Sequence, residues 1–350
     1  MKKVIFWIGL LVTAACLYFV LRGLDFARLW SIIADINIGL LAVTVAVYIG
    51  GYYIRAMRWH HLLKHIRPFK SAELFPYLVM GFMFNNVLPA RAGEVIRAVI
   101  TGAKKKISRS STLATIVIER VCDGLVMILY FILGYQVFNV LHETGQKVLS
   151  LEGGVEMEVS IFKNWLGVFA AAGSLIFVGV FIVMLFLIHK QQATLKFLHR
   201  IVSIFPGKIV DIFNTIIDKF IEGLGVLKRN RDLFAVFFYS LAAWTVEVFT
   251  YWLMAKAMNI EVNFLLVCLI MAVANFAIMV PSTAGGVGPF EFFGVGVMLL
   301  FAYPKEEAAA YIFLIHMMIL LPIIILGFIF LFTEGLDFRK LIKAKEEKDV

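Results

Sequence analysis

Charged residues are scarce in this sequence: they make up 16% of its 350 residues, whereas hydrophobic residues make up 61%. The mean hydropathy of +0.90 is far above what a soluble globular domain needs. The three cysteines, Cys16, Cys122 and Cys268, each lie within an apolar stretch, so a disulfide framework is not expected. The composition therefore predicts an all-α protein that crosses a membrane several times.

Motifs for cofactors are also missing. The sequence has no Walker A loop, no Rossmann glycine fingerprint and no zinc-ligand spacing. His60, His61 and His65 have no acid or cysteine beside them, so we expect neither a metal nor another cofactor. The net charge of +9 comes from basic residues crowded into particular loops. That pattern is typical of cytoplasmic loops beside an anionic leaflet, and we expect no nucleic-acid partner.

Two breaks interrupt the apolar runs. In both, a proline precedes a glycine by four residues and a glutamate follows: Pro89, Gly93 and Glu94 in the first break, and Pro281, Gly285 and Glu291 in the second. Proline removes a backbone donor, and a broken backbone at membrane depth is tolerated only inside protein or along a wet cavity. The apolar segments that precede the breaks are shorter than the roughly 20 residues of a full span. The sequence predicts two re-entrant hairpins, near residues 74–101 and 264–302.

The charges of the loops predict the topology. Basic residues follow the second helix and the first hairpin and fill the tail, whereas the loop 142–163 is acidic. Each half then consists of helix, helix, re-entrant hairpin and helix, with the first half starting in the cytoplasm and the second outside. We expect an inverted-topology repeat with both termini cytoplasmic, an arrangement typical of secondary transporters.

The predicted domains follow from this topology. The first transmembrane repeat covers residues 1–143, the second inverted repeat covers 161–337, and a basic cytoplasmic tail covers 338–350. Full helices are expected at residues 4–21, 38–54, 112–141, 165–188, 233–255 and 308–332. A signal peptide is the rival interpretation of the first, although its cleavage site is unconvincing. Residues 191–232 are expected to be amphipathic, either at the membrane interface or as a cytoplasmic packing element.

Charged residues beside the first break are the main candidates for a site. Arg91, Glu94 and Arg97 follow Pro89, and Asn86 precedes it. Arginine presents a fork that matches phosphate, and Glu94 and Arg97 are neighbours on a helical face. These side chains are expected either to bind an anionic group or to seal the hairpin as an internal ion pair.

The next helix carries Glu119, Arg120 and Asp123 in an apolar setting. Glu119 and Asp123 share a helical face, so a cation must lie between the two carboxylates. The candidates for that cation are Arg55, Arg58, Arg91 and Arg97. A structural salt-bridge network and direct contact with a substrate are both open.

The second half contributes Glu247 and the surroundings of the second break. A buried lone glutamate suits proton coupling, and both Glu247 and Glu291 are candidates for it. Alternatively, Glu291 accepts hydrogen bonds from the glycine-rich tip, while His316 is expected to be a satisfied polar group. The remaining candidates lie at the tip itself: Ser282, Gly285, Gly286 and Gly288.

Taken in order, these motifs resemble one family. They are Arg55-x-x-Arg58-Trp59, Asn86-x-x-Pro89-x-Arg91-x-Gly93-Glu94-x-x-Arg97, Glu119-Arg120-x-x-Asp123 and Pro281-x-x-x-Gly285-Gly286-x-Gly288-x-x-Glu291. The set resembles the lysylphosphatidylglycerol synthase transmembrane, or flippase-like, family. The resemblance implies a membrane region that moves aminoacylated phosphatidylglycerol, which a separate soluble domain makes in fused members. We expect a stand-alone member without that aminoacyl-transfer domain, and other members accompany glycosyltransferases or polyprenyl-phosphate pathways.

The expected function is transport without catalysis. We expect a flippase-like protein of the prokaryotic cytoplasmic membrane that moves a lipid with an anionic headgroup. The lipid can be an aminoacylated phospholipid, a phospholipid or a polyprenyl-phosphate-linked sugar. One alternative is a non-catalytic membrane partner of a separate synthetase or glycosyltransferase. Another is a membrane-embedded lipid transferase, although no nucleophile–base pair is visible.

Overall fold

The computed structural model describes residues 2–88, 92–137, 148–151, 155–158, 230–278 and 283–336, with a few single positions between 171 and 225. In the first half the helices are α1 (Lys2–Leu21), α2 (Phe26–Ala34), α3 (Ile38–Leu63), α4 (Ser71–Val87), α5 (Gly93–Lys105) and α6 (Arg109–Tyr135). A two-stranded antiparallel ribbon follows, formed by β1 (Val148–Leu151) and β2 (Val155–Glu158). In the second half the helices are α7 (Asn230–Ala257), α8 (Phe264–Ala277), α9 (Pro289–Leu300) and α10 (Lys305–Thr333).

The long helices identify a multi-pass membrane protein. Within the described ranges, α3, α7 and α10 are long and apolar enough to cross a bilayer, and α1 with α2 forms a fourth candidate that is bent by 87°. Helix α6 has 27 residues, but Glu119, Arg120 and Asp123 lie in its middle. The predicted helical membrane architecture is confirmed at this level, whereas the predicted helix at 165–188 lies largely outside the described residues.

Helices α4 and α5 form an antiparallel hairpin around the first break. The helix α4 ends at Val87, and residues 89–91 are not described. Near the tip the two backbones touch, because a Cβ on Gly93 would lie 1.9 Å from the carbonyl oxygen of Gly81. At the open end, the Lys105 ammonium lies 3.3 Å from Glu73 and donates to it, which holds the pKa of that carboxyl below its usual range.

Helices α8 and α9 form a second antiparallel hairpin. A short 3-10 turn, Ala284–Gly286, leads into α9. Backbone φ angles of 74°, 78° and 96° at Gly285, Gly286 and Gly288 lie in the left-handed region, which favours glycine. At the open end, the Tyr303 hydroxyl donates to the carbonyl oxygen of Glu261 at 2.8 Å.

Helix α10 runs between the open ends of the two hairpins. Its first residue, Lys305, follows the open end of the second hairpin. Beyond its last turn, the carbonyl oxygen of Glu334 accepts from Lys104 at the open end of the first hairpin, at 2.6 Å. At mid-helix, a Cβ on Gly285 would lie 3.3 Å from Leu320 and 3.3 Å from the Asn86 carbonyl oxygen. The two hairpins therefore approach from opposite ends of α10, and Asn86 of the first adjoins Gly285 of the second beside its middle.

The structure departs from the predicted elements in three places. The expected loop at 22–37 contains α2, whose start Asp25 caps by accepting from the backbone of Ala27 and Arg28. Helix α3 continues nine residues past the predicted end at Ile54, because the basic residues there are buried inside protein. The acidic loop contains β1 and β2. Most of the amphipathic stretch 191–232 and the whole tail 338–350 lie outside the described residues.

We predict that Gly93→Ala destabilises the first hairpin. The added methyl would overlap the Gly81 carbonyl oxygen, and neither backbone can move freely. Overpacking of this kind costs about 1–3 kcal/mol. Gly50→Ala is the matched control, because Gly50 is an exposed α3 residue with nothing within 4 Å of its Cβ position. In detergent, the midpoint temperature of thermal unfolding should be lower for Gly93→Ala than for the wild type, and unchanged or higher for Gly50→Ala. Equal midpoints for the two variants would contradict this packing.

Candidate functional site

A buried network of arginines and carboxylates connects four helices. Four arginines meet four acids, so the network is balanced in charge: Arg55, Arg58, Arg97 and Arg120 with Glu94, Glu119, Asp123 and Glu247. These side chains come from α3, α5, α6 and α7. Six of them are buried, and Arg120 and Glu94 are partly exposed. A charge in an apolar interior is retained only when it is paired, which this arrangement satisfies.

Glu119 is the centre of the network. Arg97 binds both of its oxygens, with distances of 3.1 Å for Nη1–Oε1 and 2.7 Å for Nη2–Oε2. Two further guanidinium groups contact Oε1, from Arg120 at 2.5 Å and from Arg58 at 3.3 Å. The predicted neighbours Glu94 and Arg97 both turn towards α6, since Glu94 lies 3.6 Å from Arg120. A bidentate pair fixes the position of Arg97 as well as its charge.

Arg58 lies between the two carboxylates of α6. Its Nη1 donates to Asp123 Oδ1, and its Nη2 is 3.3 Å from both Asp123 Oδ2 and Glu119 Oε1. Trp244 Nε1 also donates to Asp123, at 2.9 Å, and Ser240 accepts from Arg58 at 2.9 Å. The prediction that a cation lies between Glu119 and Asp123 is confirmed: Arg58 contacts both carboxylates, and so does Arg120, at 2.5 Å from Glu119 and 3.5 Å from Asp123.

Glu247 is paired. Arg55 Nη2 lies 2.5 Å from Glu247 Oε2, and the Arg55 guanidinium stacks over the rings of Tyr52 and Trp244 at 5.0 and 5.5 Å. Asn275 donates to the other Glu247 oxygen at 3.5 Å. The sequence left open whether Glu247 is paired, and the structure supplies the partner, because α3 brings Arg55 across from the first half.

The basic residues after Ile54, together with Trp59, predict a helix end at the cytoplasmic interface, and this prediction is wrong in part. Arg55, Arg58 and Trp59 are buried in protein and do not lie at a membrane surface. The indole of Trp59 donates to Thr115 at 3.1 Å, and the Arg97 guanidinium lies 4.0 Å from its ring. The sequence pattern of cations with a tryptophan did not reveal that α5 and α6 cover this side of α3.

The exposed edge of the network lies near the first hairpin tip. The side chains of Arg120 and Glu94 are 28% and 26% exposed, and the Arg120 guanidinium lies 5.3 Å from the Phe82 ring. Arg120 Nε and Asn85 Oδ1 are buried without a hydrogen-bond partner among the described residues. Arg55, Arg58 and Arg97 each have one such guanidinium nitrogen too, so it is the partial exposure of Arg120 and Glu94 that makes this edge accessible to a polar ligand.

A second polar pair lies at the tip of the second hairpin. Glu291 Oε2 accepts from the backbone of Gly288 at 2.7 Å, which confirms the predicted bond to the glycine-rich tip. Its other oxygen is 2.5 Å from His316 Nδ1 on α10. Thr13 of α1 reaches the same tip and donates to the carbonyl oxygen of Val287 at 3.0 Å.

The candidates divide between two places. The four arginines and their acids form the network, while Asn86 lies where the tips meet, beside Gly285, and Gly286 and Gly288 complete the second tip. Arg91 and Ser282 lie outside the described residues. The sequence reasoning missed Thr13, Ser240, Trp244 and Asn275, because a single polar residue in an apolar helix carries no spacing signal.

We predict that the Arg55–Glu247 pair behaves as a buried ion pair. Arg55→Met or Glu247→Leu alone leaves an uncompensated buried charge and should lower the free energy of unfolding by about 3–5 kcal/mol. The double variant should lose clearly less than the sum, as measured by denaturation in detergent. As a control, Glu73→Gln removes an exposed pair with Lys105 and should change stability little. Additive losses in the double variant would contradict a coupled pair.

Comparison with known proteins agrees with the resemblance. The family model described as lysylphosphatidylglycerol synthase TM region matches residues 6–327. Glycosyltransferase AglD of Haloferax volcanii is 26% identical over 88% of this chain but only 51% of its own, so the chain spans about half of that relative. A UPF0104 membrane protein of Methanothermobacter thermautotrophicus is 22% identical, over 76% of this chain and 74% of its own.

UPF0104 membrane protein PH1989 of Pyrococcus horikoshii is 24% identical, over 79% of this chain and 80% of its own. No solved structure matches the chain significantly. The family match covers most of the chain, including every helix described above except the ends of α1 and α10. This chain belongs to the lysylphosphatidylglycerol synthase transmembrane family and is a multi-pass helical membrane protein.

Proposed function

We propose that this protein is a flippase-like transporter that moves a lipid with an anionic headgroup across a prokaryotic cytoplasmic membrane. The observation that carries the proposal is Arg120, the partly exposed arginine of an otherwise buried network. It lies against the first hairpin, beside Phe82 of α4 and Glu94 of α5. In transporters with broken helices, the substrate site lies near the bilayer midplane between the repeats.

We further propose the inverted-topology repeat, with both termini cytoplasmic and the domains predicted above. Packing partners are exchanged between the halves: α6 packs on α8 of the second hairpin, as α10 packs on α4 of the first. Each half also joins the second arm of its hairpin to its last helix through a polar pair. Arg97 binds Glu119 in the first half, and Glu291 binds His316 in the second.

The headgroup would replace Glu94 beside Arg120. Their 3.6 Å separation is longer than a hydrogen bond, whereas the same guanidinium is bound by the buried Glu119 at 2.5 Å, so Glu94 is the weaker of the two partners. A phosphodiester carries one negative charge, so exchanging it for the Glu94 carboxylate keeps the network neutral. Arginine is suited to this exchange because its fork matches phosphate oxygens. The acyl chains would remain in the lipid during transfer.

The AglD relative bears on both the substrate and the alternative function. It is named as a glycosyltransferase, which keeps a polyprenyl-phosphate-linked sugar among the candidate lipids. Because this chain corresponds to about half of that protein, a second candidate function is a non-catalytic membrane partner of such an enzyme. The partner role would be favoured by two results together: the wild-type protein moves no lipid, and it still binds a glycosyltransferase after the Arg120→Gln substitution.

We predict that the open ends of the hairpins face opposite sides of the membrane. In a variant with Cys16, Cys122 and Cys268 replaced, Ala103→Cys and Glu261→Cys each place an exposed thiol beside one open end. In intact cells, a membrane-impermeant maleimide should label position 261 and spare position 103. Inverted vesicles should give the reverse. Labelling of both positions from one side would contradict the inverted repeat.

We predict that Arg120→Gln slows lipid movement by about ten- to a hundredfold, the range expected for loss of a charge-assisted hydrogen bond. The measurement is dithionite accessibility of fluorescent phosphatidylglycerol in proteoliposomes. Arg28→Gln makes the same charge change at an exposed residue of α2 and should move the lipid at the wild-type rate. Equal rates for wild type and Arg120→Gln would contradict this site.

A further inference from the structure

Both ring nitrogens of His316 face oxygen atoms. Nδ1 lies 2.5 Å from Glu291 Oε1, and Nε2 lies 3.0 Å from the carbonyl oxygen of Gly285. The ring stacks on Phe290 at 4.2 Å, and the side chains of His316 and Glu291 are each 1% exposed. The imidazole therefore bridges the second arm of the hairpin and its tip.

This geometry fixes the number of protons in the pair. A carbonyl oxygen only accepts, so Nε2 of His316 must carry a hydrogen. The contact at Nδ1 needs a second hydrogen, carried either by Nδ1 or by the Glu291 carboxyl. In both cases the pair holds one proton more than a neutral imidazole beside an ionised carboxylate. Without that proton, either the Gly285 or the Glu291 contact would bring two acceptors together.

We propose that Glu291 and His316 form the proton-binding site that couples lipid movement to a proton. The inference rests on the proposed transport function and adds its energy source. Gly285 adjoins Asn86 of the first hairpin, so the bond from His316 holds the second tip where it packs against the first hairpin. Release of the proton removes one of the two contacts and frees the tip to separate.

The other groups around the pair come from three helices. On α1, Thr13 accepts from the backbone of Thr283 at 3.2 Å, and Cys16 adjoins Gly288. On α3, the Tyr48 hydroxyl donates to the carbonyl oxygen of Ile319, one turn from His316 on α10. On α4, the neighbour is the carbonyl oxygen of Asn86. These groups are uncharged at neutral pH, whereas Glu247 is neutralised by Arg55, so the histidine pair is the better proton carrier.

Two substitutions separate proton binding from mere structure. In Glu291→Gln, the amide can donate to Nδ1 and accept from Gly288 while a neutral imidazole donates to Gly285, so every contact survives without the extra proton. This variant should hold the tip closed at every pH. In His316→Gln, one amide cannot reproduce both bonds, and the tip should be open at every pH. His60→Gln is the control, since His60 is a half-buried histidine that binds the Phe69 carbonyl oxygen away from the tips.

The first test is hydrogen exchange of the full-length protein in nanodiscs, read for residues 283–292 between pH 5.5 and 8.5. After correction for the intrinsic rate, exchange in the wild type and His60→Gln should rise about tenfold with pH. It should stay slow in Glu291→Gln and fast in His316→Gln. Unchanged protection of the wild type over this range, or a wild-type pH response in Glu291→Gln, would overturn the proposal.

The second test distinguishes failure of proton coupling from failure of the proposed lipid transport. Fluorescent phosphatidylglycerol is followed in proteoliposomes with and without an imposed pH gradient. The gradient should speed its movement in the wild type several-fold and leave Glu291→Gln unaffected. Movement that ignores the gradient would overturn proton coupling and leave transport intact. If no lipid moves, the transport proposal fails for this lipid, and the exchange measurement still decides whether the pair binds a proton.

Discussion

The structure depends on keeping Glu119 and Asp123 ionised inside a helical membrane protein. Burying either carboxylate without a partner would cost a large desolvation free energy, and Arg58 forms ion pairs with both of them. Because Arg97 comes from the first hairpin and Arg58 from α3, the same pairs that neutralise the charges also fix the hairpin against the long helices. Charge neutrality and hairpin position are therefore one constraint, which explains why eight charged side chains cluster together in so apolar a chain.

The two halves meet this constraint with different chemistry. The first hairpin is tied to its last helix by a permanent pair, Arg97 with Glu119, whereas the second is tied by Glu291 with His316, which needs a proton. The Arg97–Glu119 pair is thus suited to a fixed contact, and the Glu291–His316 pair to a contact that can break. That asymmetry, in otherwise exchanged packing, is what the proposed transport requires if one hairpin stays anchored while the other opens.

Much of this architecture could be predicted from the sequence, because membrane helices follow hydropathy and breaks follow proline and glycine. The helix–break–helix hairpins and the cation between Glu119 and Asp123 follow from spacing alone. The ion-pair partners do not follow from spacing: the sequence leaves open whether Glu247 is paired, because its arginine, Arg55, lies 192 residues away in the chain. Similarly, the burial of Trp59 depends on packing by helices that local patterns do not identify, so a basic cluster was mistaken for an interface.

The most direct measurement is an experimental structure of the protein in nanodiscs that contain anionic lipid. We expect a phosphate within hydrogen-bonding distance of the Arg120 guanidinium, with the Glu94 carboxylate turned away and the Arg97–Glu119 pair unchanged. Lipid bound only around the outer surface, with Glu94 still beside Arg120 and no room between the hairpin tips, would contradict it.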